Sequence, residues 1–446
     1  MHRTSGLLVL LAAGCAAHSA VEGKAGVSIS ADGSVIGSSG SSSGNGVIGG
    51  PGPGSGSNDT SDADTIGNPG PPSDGGTATN PDVGPPNVLP CNALGDAGGV
   101  FENITPPWSK LPAPPSGSGL IICGLDVDPR TPGTVYAGSS SYPAFKPGAF
   151  WRSTDCGATW TQVAMGSHGT DLTQGCTQEV EVDPITSDVY ADSLYGTGHL
   201  YRSHNGGMDW VDVSPTGTGV PSFVESFTMD PTNHNHMVVA FHADCSLPNA
   251  PSSIASCLAE TTDGANTWQV FPGLTDHWAE GYSVIILKGS NWISASYPNL
   301  YSTTNAGRYT TDVTKAWSVV LGYPGCSSFD INIAQYMGSY YLGCGAGLGI
   351  QTSVDAGSWM TTTNALQPAS LVVTGKYMYA VQIADTSGQP LWRAPLSDLT
   401  QWEHVKTPSM MPAAMQTDTG AVKYDASHKL LYLSAQNAGL WRVQTE

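Results

Sequence analysis

The segment Phe150-Trp-Arg-Ser-Thr-Asp-Cys-Gly-Ala-Thr-Trp160 recurs as Leu200-Tyr-Arg-Ser-His-Asn-Gly-Gly-Met-Asp-Trp210. Both copies follow the order aromatic, Arg, Ser, any residue, Asp or Asn, any residue, Gly, any two residues, Trp. Serine, aspartate, asparagine and glycine favour turns, whereas the aromatic residues that flank them favour strands. The repeat therefore predicts a β-structural unit that the chain uses several times.

Weaker copies of this unit continue toward the carboxyl terminus. They are Thr261-x-Asp263 with Trp268, Thr303-x-Asn305-x-Gly307, Ser353-x-Asp355-x-Gly357 with Trp359, Leu391-Trp392-Arg393 leading to Trp402, and the partial copy Gly439-Leu440-Trp441-Arg442. The pattern resembles the Asp-box (BNR) repeat, Ser/Thr-x-Asp-x-Gly-x-x-Trp, of sialidases, sortilin-like receptors, xyloglucanases and a plant photosystem assembly factor. The resemblance covers about Phe101 to Glu446. It implies a β-propeller in which the box residues are folding devices.

A second element lies upstream of the first three boxes. In the second copy, Val180-Glu-Val-Asp-Pro184 alternates as a half-buried strand does, and Val189-Tyr-Ala191 supplies β-branched and aromatic residues. Proline fixes φ at about −65° and lacks a ladder donor, so the Asp-Pro pair predicts a turn between two strands. With the box turn, each repeat predicts four antiparallel strands, which is one propeller blade.

Counting these units predicts seven blades. Six complete blades run from Cys123 to about Val405, and a seventh supplies three strands from Gln416 to Val443. The segment Val100 to Trp108 would supply the missing fourth strand and close the ring, which removes the open sheet edges. Six or eight blades are the alternatives, because the later repeats are weak. The fold class is therefore an all-β, single propeller, closed by an N-terminal strand and placed after a disordered tail.

The amino terminus predicts export and lipidation. Arg3 and the apolar run Leu7 to Ala13 make a short signal sequence, too short to span a bilayer. Its end, Leu11-Ala-Ala-Gly-Cys15, resembles a bacterial lipobox, which implies cleavage before Cys15 and acylation of its thiol. Ala16, in place of aspartate, favours the outer membrane or cell surface of a Gram-negative envelope. We therefore expect a signal peptide at 1–14.

Composition separates a tether from the folded part. Residues 15–90 are rich in Gly, Ser and Pro and show neither strand nor helix periodicity, so we interpret them as a lipidated, disordered tether before a propeller at 91–446. The formal charge of −20 excludes nucleic acid as a partner, because phosphates require a basic surface. The expected partners are the membrane, through the lipid anchor, and a glycan or envelope protein.

Cysteine usage agrees with export. Nine cysteines less the lipidated Cys15 leave eight, an even number that predicts up to four disulfides. Propeller topology puts first-to-second and third-to-fourth turns on one rim, the box-turn rim. Blade entries and second-to-third loops lie on the other, the blade-entry rim. Local antiparallel geometry or a shared rim predicts the pairs Cys91–Cys156, Cys123–Cys176, Cys245–Cys257 and Cys326–Cys344.

No catalytic motif stands out. Sialidases clamp a carboxylate with three arginines, yet only Arg130 and Arg308 lie outside the signal peptide and the strands before boxes, both on the box-turn rim. Xyloglucanases place catalytic aspartates between two propellers, and this chain has room for one. We therefore expect no sialidase activity, and no cofactor.

Acidic residues mark a candidate site at the blade-entry rim. Glu179, Glu225 and Glu280 fall near the starts of first strands, and Asp126 and Glu181 fall two residues before an Asp-Pro turn. Two converging carboxylates can hydrolyse a glycoside or hold a cation in oxygen ligation. These five are the candidate catalytic residues.

Two further groups contain possible ligand-binding side chains. Asp276, His277 and Trp278 form a loop suited to stacking on and hydrogen bonding a sugar ring. His234 and His236 have the composition of a metal site, but they fall in an Asp-Pro turn on the box-turn rim, and no zinc-type CxxC pair exists, so we expect no metal. The chain is interpreted as a non-catalytic propeller that binds a glycan or protein. The alternative is a glycoside hydrolase or polysaccharide lyase.

Overall fold

The computed structural model describes residue 91 and residues 101–105, 119–142, 148–163, 165–248, 256–273, 283–296, 299–308, 316–322, 333–344, 349–363, 366, 368–382, 391–407, 422–435 and 439–445. No helix among these residues is long and apolar enough to cross a membrane.

The described residues form seven four-stranded antiparallel sheets. The first strand of the chain, β1 (Phe101–Asn103), belongs to the last sheet. Blades one to three contain β2 (Gly119–Val127), β3 (Val135–Tyr142), β4 (Gly148–Ser153), β5 (Thr161–Gln162); β6 (Val180–Val182), β7 (Val189–Asp192), β8 (Leu200–Ser203), β9 (Val211–Asp212); and β10 (Val224–Asp230), β11 (Asn233–Phe241), β12 (Cys257–Thr261), β13 (Gln269–Pro272). A short 3-10 helix, Asp171–Thr173, precedes β6.

Blades four to seven repeat the same order. They contain β14 (Ser283–Lys288), β15 (Asn291–Ser296), β16 (Asn299–Thr303), β17 (Ser318–Gly322); β18 (Ile333–Tyr336), β19 (Ser339–Cys344), β20 (Gly349–Ser353), β21 (Met360–Thr363); β22 (Pro368–Val373), β23 (Tyr377–Gln382), β24 (Leu391–Pro395), β25 (Glu403–His404); and β26 (Val422–Asp425), β27 (Leu430–Ala435), β28 (Gly439–Gln444). First strands of neighbouring blades lie against one another, as β2 does against β6 and β26, which places them around the centre of the ring. The predicted seven-bladed all-β propeller is confirmed.

The ring is closed by the predicted N-terminal strand. Strand β1 pairs antiparallel with β28, with Phe101 opposite Val443 and Asn103 opposite Trp441. The Ile104 N–H then donates to the Leu440 carbonyl at 2.8 Å. The two ends of the propeller therefore share one sheet. Blade one begins earlier than predicted, at Gly119, and its first strand β2 contains a β-bulge between Ile122 and Leu125.

The box turns owe their shape to side-chain hydrogen bonds. Ser153 Oγ accepts the Gly157 N–H at 2.7 Å, and Asp155 Oδ1 accepts the Thr159 N–H at 2.8 Å. Ser203 with Asn205, and Thr261 with Asp263, make the same bonds in the next two blades. Gly157 has φ of +87°, and a Cβ there would lie 2.5 Å from Ile104 Cδ1. Glycine at this position lets the turn pack against the closing segment.

The box tryptophans join neighbouring blades. Trp160 Nε1 donates to the Ile104 carbonyl at 2.6 Å, Trp210 Nε1 to Val163 at 3.1 Å, and Trp268 Nε1 to Val213 at 2.7 Å. Each acceptor directly follows the outer strand of the preceding blade. Each indole buries apolar area against the neighbouring blade, and its N–H satisfies one carbonyl there. The box tryptophans therefore belong to the scaffold.

Three of the four predicted disulfides are present. Cys91 bonds Cys156 with Cα atoms 5.4 Å apart, Cys123 bonds Cys176 at 6.0 Å, and Cys245 bonds Cys257 at 5.9 Å. These separations lie in the ordinary range for a disulfide. Cys326 of the fourth predicted pair lies outside the described residues.

Candidate functional site

Asp126 lies at the meeting point of three blades. It belongs to first strand β2, and its Oδ2 accepts the Val182 N–H of β6 at 2.8 Å. Its Oδ1 lies 3.2 Å from the Lys423 ammonium of β26. One carboxylate thus connects the neighbouring blades seven, one and two where their first strands meet.

Glu181 is the equivalent residue of blade two, and it accepts the Met229 N–H of blade three. Burial raises the pKa of this carboxyl to about 7; Lys423 opposes the rise, whereas the Asp126 charge adds to it. Near neutral pH, Glu181 is therefore divided between its protonated and ionised forms.

Lys423 supplies the positive charge of this cluster. Burial alone would lower the pKa of its ammonium, but Asp126 and Glu181 raise it above the usual value. The lysine is only partly exposed, and it stays charged because carboxylates surround it. A lysine among carboxylates neutralises part of the repulsion that would otherwise push the blades apart.

Glu179 is a third carboxylate that accepts a backbone N–H of the next blade. Its Oε2 accepts the Phe227 N–H of the next blade at 2.6 Å. Asp126 and Glu181 likewise each accept an amide of the first strand one blade further on. The first strand is the channel-side edge of its sheet, so its amides need acceptors from outside the sheet. These carboxylates supply them.

A second acidic group lies at the blade-entry rim between blades two and three. Glu225 falls in a β-bulge between Val224 and Ser226, and its carboxylate makes an ion pair with His242 Nδ1. Asp192, the last residue of β7, uses Oδ1 to accept the amides that open blade two, Gln178 at 2.7 Å and Glu179 at 2.9 Å. Burial raises the pKa of Asp192 well above its usual value, and the Glu225 charge raises it further.

The histidines of the Asp-Pro turn are engaged by carboxylates. His236 Nδ1 lies 2.9 Å from Asp230 and its Nε2 lies 2.9 Å from Glu260, while His234 Nδ1 lies 2.7 Å from Asp183. Both ring nitrogens of His236 contact carboxylates of blade three, which raises the pKa of this buried imidazole above its usual value. This geometry favours a structural role over metal ligation.

One set of possible metal ligands occurs in the described part of the chain. Cys91, Cys156 and His428 bring their ligand atoms within 4.8 Å of one another. The two sulfurs are joined in a disulfide and offer no thiolate. These three residues are therefore a disulfide with a histidine next to it.

Several predicted site residues lie outside the described residues. These are Cys15, Asp276, His277, Trp278 and Glu280. Of the predicted acids that are described, Asp126, Glu179 and Glu181 meet in the channel, and Glu225 lies at the rim with Asp192 and His242.

Sequence reasoning missed Lys423, although a signal for it exists. Val422-Lys-Tyr-Asp425 has the same form as Val180-Glu-Val-Asp183, with the functional side chain two residues before the turn aspartate. Ala426 stands where the earlier copies have proline, so the Asp-Pro pattern does not identify this strand. His242 and Asp192 carry no comparable signal, because they are brought to Glu225 by strand ends from two blades.

Comparison with known proteins finds distant structural likeness. No protein-family model and no curated protein matches this sequence. A crystal structure of the GH74 enzyme of Niastella koreensis is 15% identical with a TM-score of 0.34, over 73% of this chain and 54% of that one. Virginiamycin B lyase from Staphylococcus aureus is 11% identical with a TM-score of 0.49, over 78% and 99%. The extracellular domain of BT4673 from B. thetaiotaomicron is 12% identical with a TM-score of 0.48, over 77% and 39%.

Proposed function

We propose that this chain is a propeller that binds a glycan or a protein partner at its blade-entry rim without turning it over. The main support is the engagement of the channel carboxylates. Asp126, Glu179 and Glu181 each accept a backbone amide of the next blade. A general acid or base must instead reach an atom of the substrate. Their bonds suit a scaffold that holds seven blades in register.

The turn chemistry supports a relationship with the Asp-box propellers. The hydroxyl of the first box residue accepts the amide four residues later in blades one to four, at Ser153, Ser203, Thr261 and Thr303. A bond repeated at the same place in successive blades is consistent with duplication of one ancestral unit. We therefore include this relationship in the proposal.

The lipid tether is part of the same proposal. Its support is the lipobox-like Leu11 to Cys15 and the Gly/Ser/Pro-rich composition of residues 15–90. It predicts a protein on the outer membrane or surface of a bacterial envelope. Metabolic labelling with a clickable fatty acid tests the anchor. Wild type should be labelled and sediment with membranes, and Cys15→Ser should be unlabelled and released. A Cys15→Ser protein that is still processed and membrane-bound would contradict it.

A carbohydrate-active enzyme is the second candidate, favoured by one observation. Glu181, with a pKa of about 7, is a proton donor near neutral pH, and it lies close enough to feel the charge of Asp126. A proton-donating carboxyl beside a second carboxylate is what glycoside hydrolysis requires. Hydrolysis would need the substrate to displace the amides that these groups now hold.

One experiment separates the two candidates. A panel of defined oligosaccharides is scored for binding by calorimetry and for product release by chromatography. We expect binding without product. Glu181→Gln keeps the shape and removes the proton donor, and Glu403→Gln, at an exposed acid on β25, is the matched control. Product release that is lost in Glu181→Gln and kept in Glu403→Gln would establish the enzyme and reject the binding proposal.

A further inference from the structure

Three rings gather at the blade-entry rim between blades two and three. Tyr195 follows β7, Phe223 precedes β10, and His242 follows β11. The ring centroids of Phe223 and His242 are 4.7 Å apart, those of Tyr195 and Phe223 are 5.8 Å apart, and those of Tyr195 and His242 are 5.9 Å apart. Each side chain is half-buried. We call these three residues the rim platform.

The backbone fixes the rim platform. The Val224 N–H donates to the Gly198 carbonyl at 2.8 Å, and the His242 N–H donates to the Phe223 carbonyl at 2.8 Å. Tyr195 has φ of +54°, a left-handed conformation that is unusual for a bulky residue. Such strain persists only where the surrounding structure holds it, and it clusters at functional sites. The rings are therefore preorganised.

Two buried carboxyl groups lie next to the platform. Glu225 is 3% exposed and Asp192 is 0% exposed. Glu225 Oε2 is paired with His242, whereas Glu225 Oε1 and Asp192 Oδ2 have no hydrogen-bond partner among the described residues. Buried acceptors are nearly always satisfied, so these oxygens need an explanation. The β-bulge that holds Glu225 is a common device for aiming a side chain at a site.

Two acidic groups, Glu225 and Asp192, lie next to the platform, and His242 forms an ion pair with Glu225. The Glu225 charge contributes to the raised pKa of Asp192, so these two carboxyl groups lie close together. The Coulomb energy between two charges falls off less in the protein interior than in water, because the effective dielectric constant is lower. The buried acids can therefore attract a cationic ligand without contacting it. The faces of Tyr195 and Phe223 also carry negative potential and attract cations.

Resting on the proposed binding function, we propose that the rim platform binds a pyranose bearing a protonated amine. The rings of Tyr195 and Phe223 provide apolar area for the face of the sugar, and the ammonium group experiences both the ring faces and the buried carboxylates. A uronic acid would be repelled by the same charges. An N-acetylated sugar keeps the shape and loses the attraction.

The test compares two ligands of equal length by titration calorimetry, the hexamer of glucosamine and the hexamer of N-acetylglucosamine. We expect the amine hexamer to bind the full chain about tenfold more tightly, and added salt to reduce the difference. Tyr195→Asn removes the ring while asparagine tolerates the left-handed backbone, and it should weaken binding of the amine hexamer about tenfold. Glu225→Gln removes the charge with little change of shape, and should abolish the preference between hexamers.

Controls keep the outcomes separate. Tyr336→Ala removes a half-buried tyrosine at the opposite rim, and should leave both affinities unchanged. Thermal unfolding of each variant confirms that it is folded. Equal binding of the two hexamers, or full affinity in folded Tyr195→Asn, would overturn the assignment of ligand and site. In that case binding of another oligosaccharide from the panel would leave the proposed function standing, whereas turnover of either hexamer would reject that function.

Discussion

Arg442 on the last strand and Glu102 on the first form the closing ion pair of the ring. Arg442 Nε donates to Glu102 Oε2 at 2.7 Å, and Nη2 lies 2.6 Å from the same oxygen. Nη1 donates to the Cys156 carbonyl in the box turn of blade one at 2.6 Å. The arginine is 1% exposed, so its charge depends on these acceptors. The pair joins residues 340 positions apart and secures the strand that completes blade seven.

Removing Glu102 should therefore destabilise the propeller strongly. Glu102→Ala leaves the buried guanidinium without its carboxylate, and we expect a loss of about 3–5 kcal/mol in the free energy of unfolding. Urea denaturation measures it. The matched control is Glu403→Ala, since Glu403 pairs with Arg393 on adjacent strands but is 58% exposed. Loss of that exposed pair should lower the free energy of unfolding by about 0–1 kcal/mol. Equal losses in the two variants would show that the closing pair contributes no more than a surface one.

The box tryptophans should matter for stability and not for binding. Trp160 is 1% exposed and donates to Ile104 beside the closing strand. Trp160→Ala should lower the free energy of unfolding by roughly 3–5 kcal/mol, as other buried aromatic residues do. Trp359 is partly exposed and donates within its own turn to Ala356, so Trp359→Ala should lower the free energy of unfolding by less.

The binding readout makes this prediction specific. Affinity for any oligosaccharide of the panel, measured in the folded fraction of Trp160→Ala, should equal that of wild type. A variant of normal stability with lost binding would move Trp160 from the scaffold to the site.

The fold could be predicted because its determinants are local and repeated. Ser153, Asp155 and Gly157 specify a turn by bonds within five residues, and the same order recurs along the chain. Contacts between repeats are harder to predict. Arg202 in a strand of blade two donates to the Gly264 carbonyl in the box turn of blade three. Between blades three and four the arginine is instead in the turn, where Arg308 forms an ion pair with Glu260 of the strand. The contact remains while the residue pattern changes.

The site could be predicted only in part. Asp126 and Glu181 can be predicted from their place before a turn, but Lys423 is far from both in sequence and meets Asp126 only because the propeller ring closes. Glu225 was predicted from its place at a strand start. Its neighbours Asp192 and His242 lie at the ends of second strands from two blades, and their approach to Glu225 depends on how those blades pack.

His236 should make stability depend on pH. Burial alone would lower the pKa of this imidazole, but hydrogen bonds to Glu260 and Asp230 raise it above 6.5. A raised pKa means that the folded state binds the proton more tightly. This contribution to stability is complete below about pH 6.5 and is lost as the pH rises through the folded-state value. Urea denaturation from pH 6 to 9 should show the decline.

The control for this effect is His236→Gln, which is uncharged at every pH. It should be less stable than wild type at pH 6, and the difference should shrink toward pH 9. His204→Gln, at a histidine whose side chain is 58% exposed, should follow the wild-type profile. A constant gap between wild type and His236→Gln across this range would mean that the charge of His236 does not stabilise its contacts with Asp230 and Glu260 within blade three.

The last cysteine pair follows from the three that are present. Of the eight cysteines after Cys15, six are joined, which leaves Cys326 and Cys344. Cys344 ends β19 opposite Gly349, at the blade-entry rim where the first strand of blade five begins. We expect peptide mapping under non-reducing conditions to recover Cys326 and Cys344 in one linked peptide. Thiol titration of the denatured, processed protein should find no free cysteine.

A different connectivity would have wider consequences. Cys156 lies in a box turn and Cys176 at a blade entry, so a full strand length separates their rims, although they are close in sequence. A Cys156–Cys176 link would bring the two rims together. It would therefore overturn the assignment of turns to rims in blades one and two. Two free thiols at Cys326 and Cys344, with the other pairs intact, would instead reject only the fourth bridge. The map of linked peptides therefore tests the rim assignment on which the placement of Tyr195, Phe223 and His242 depends.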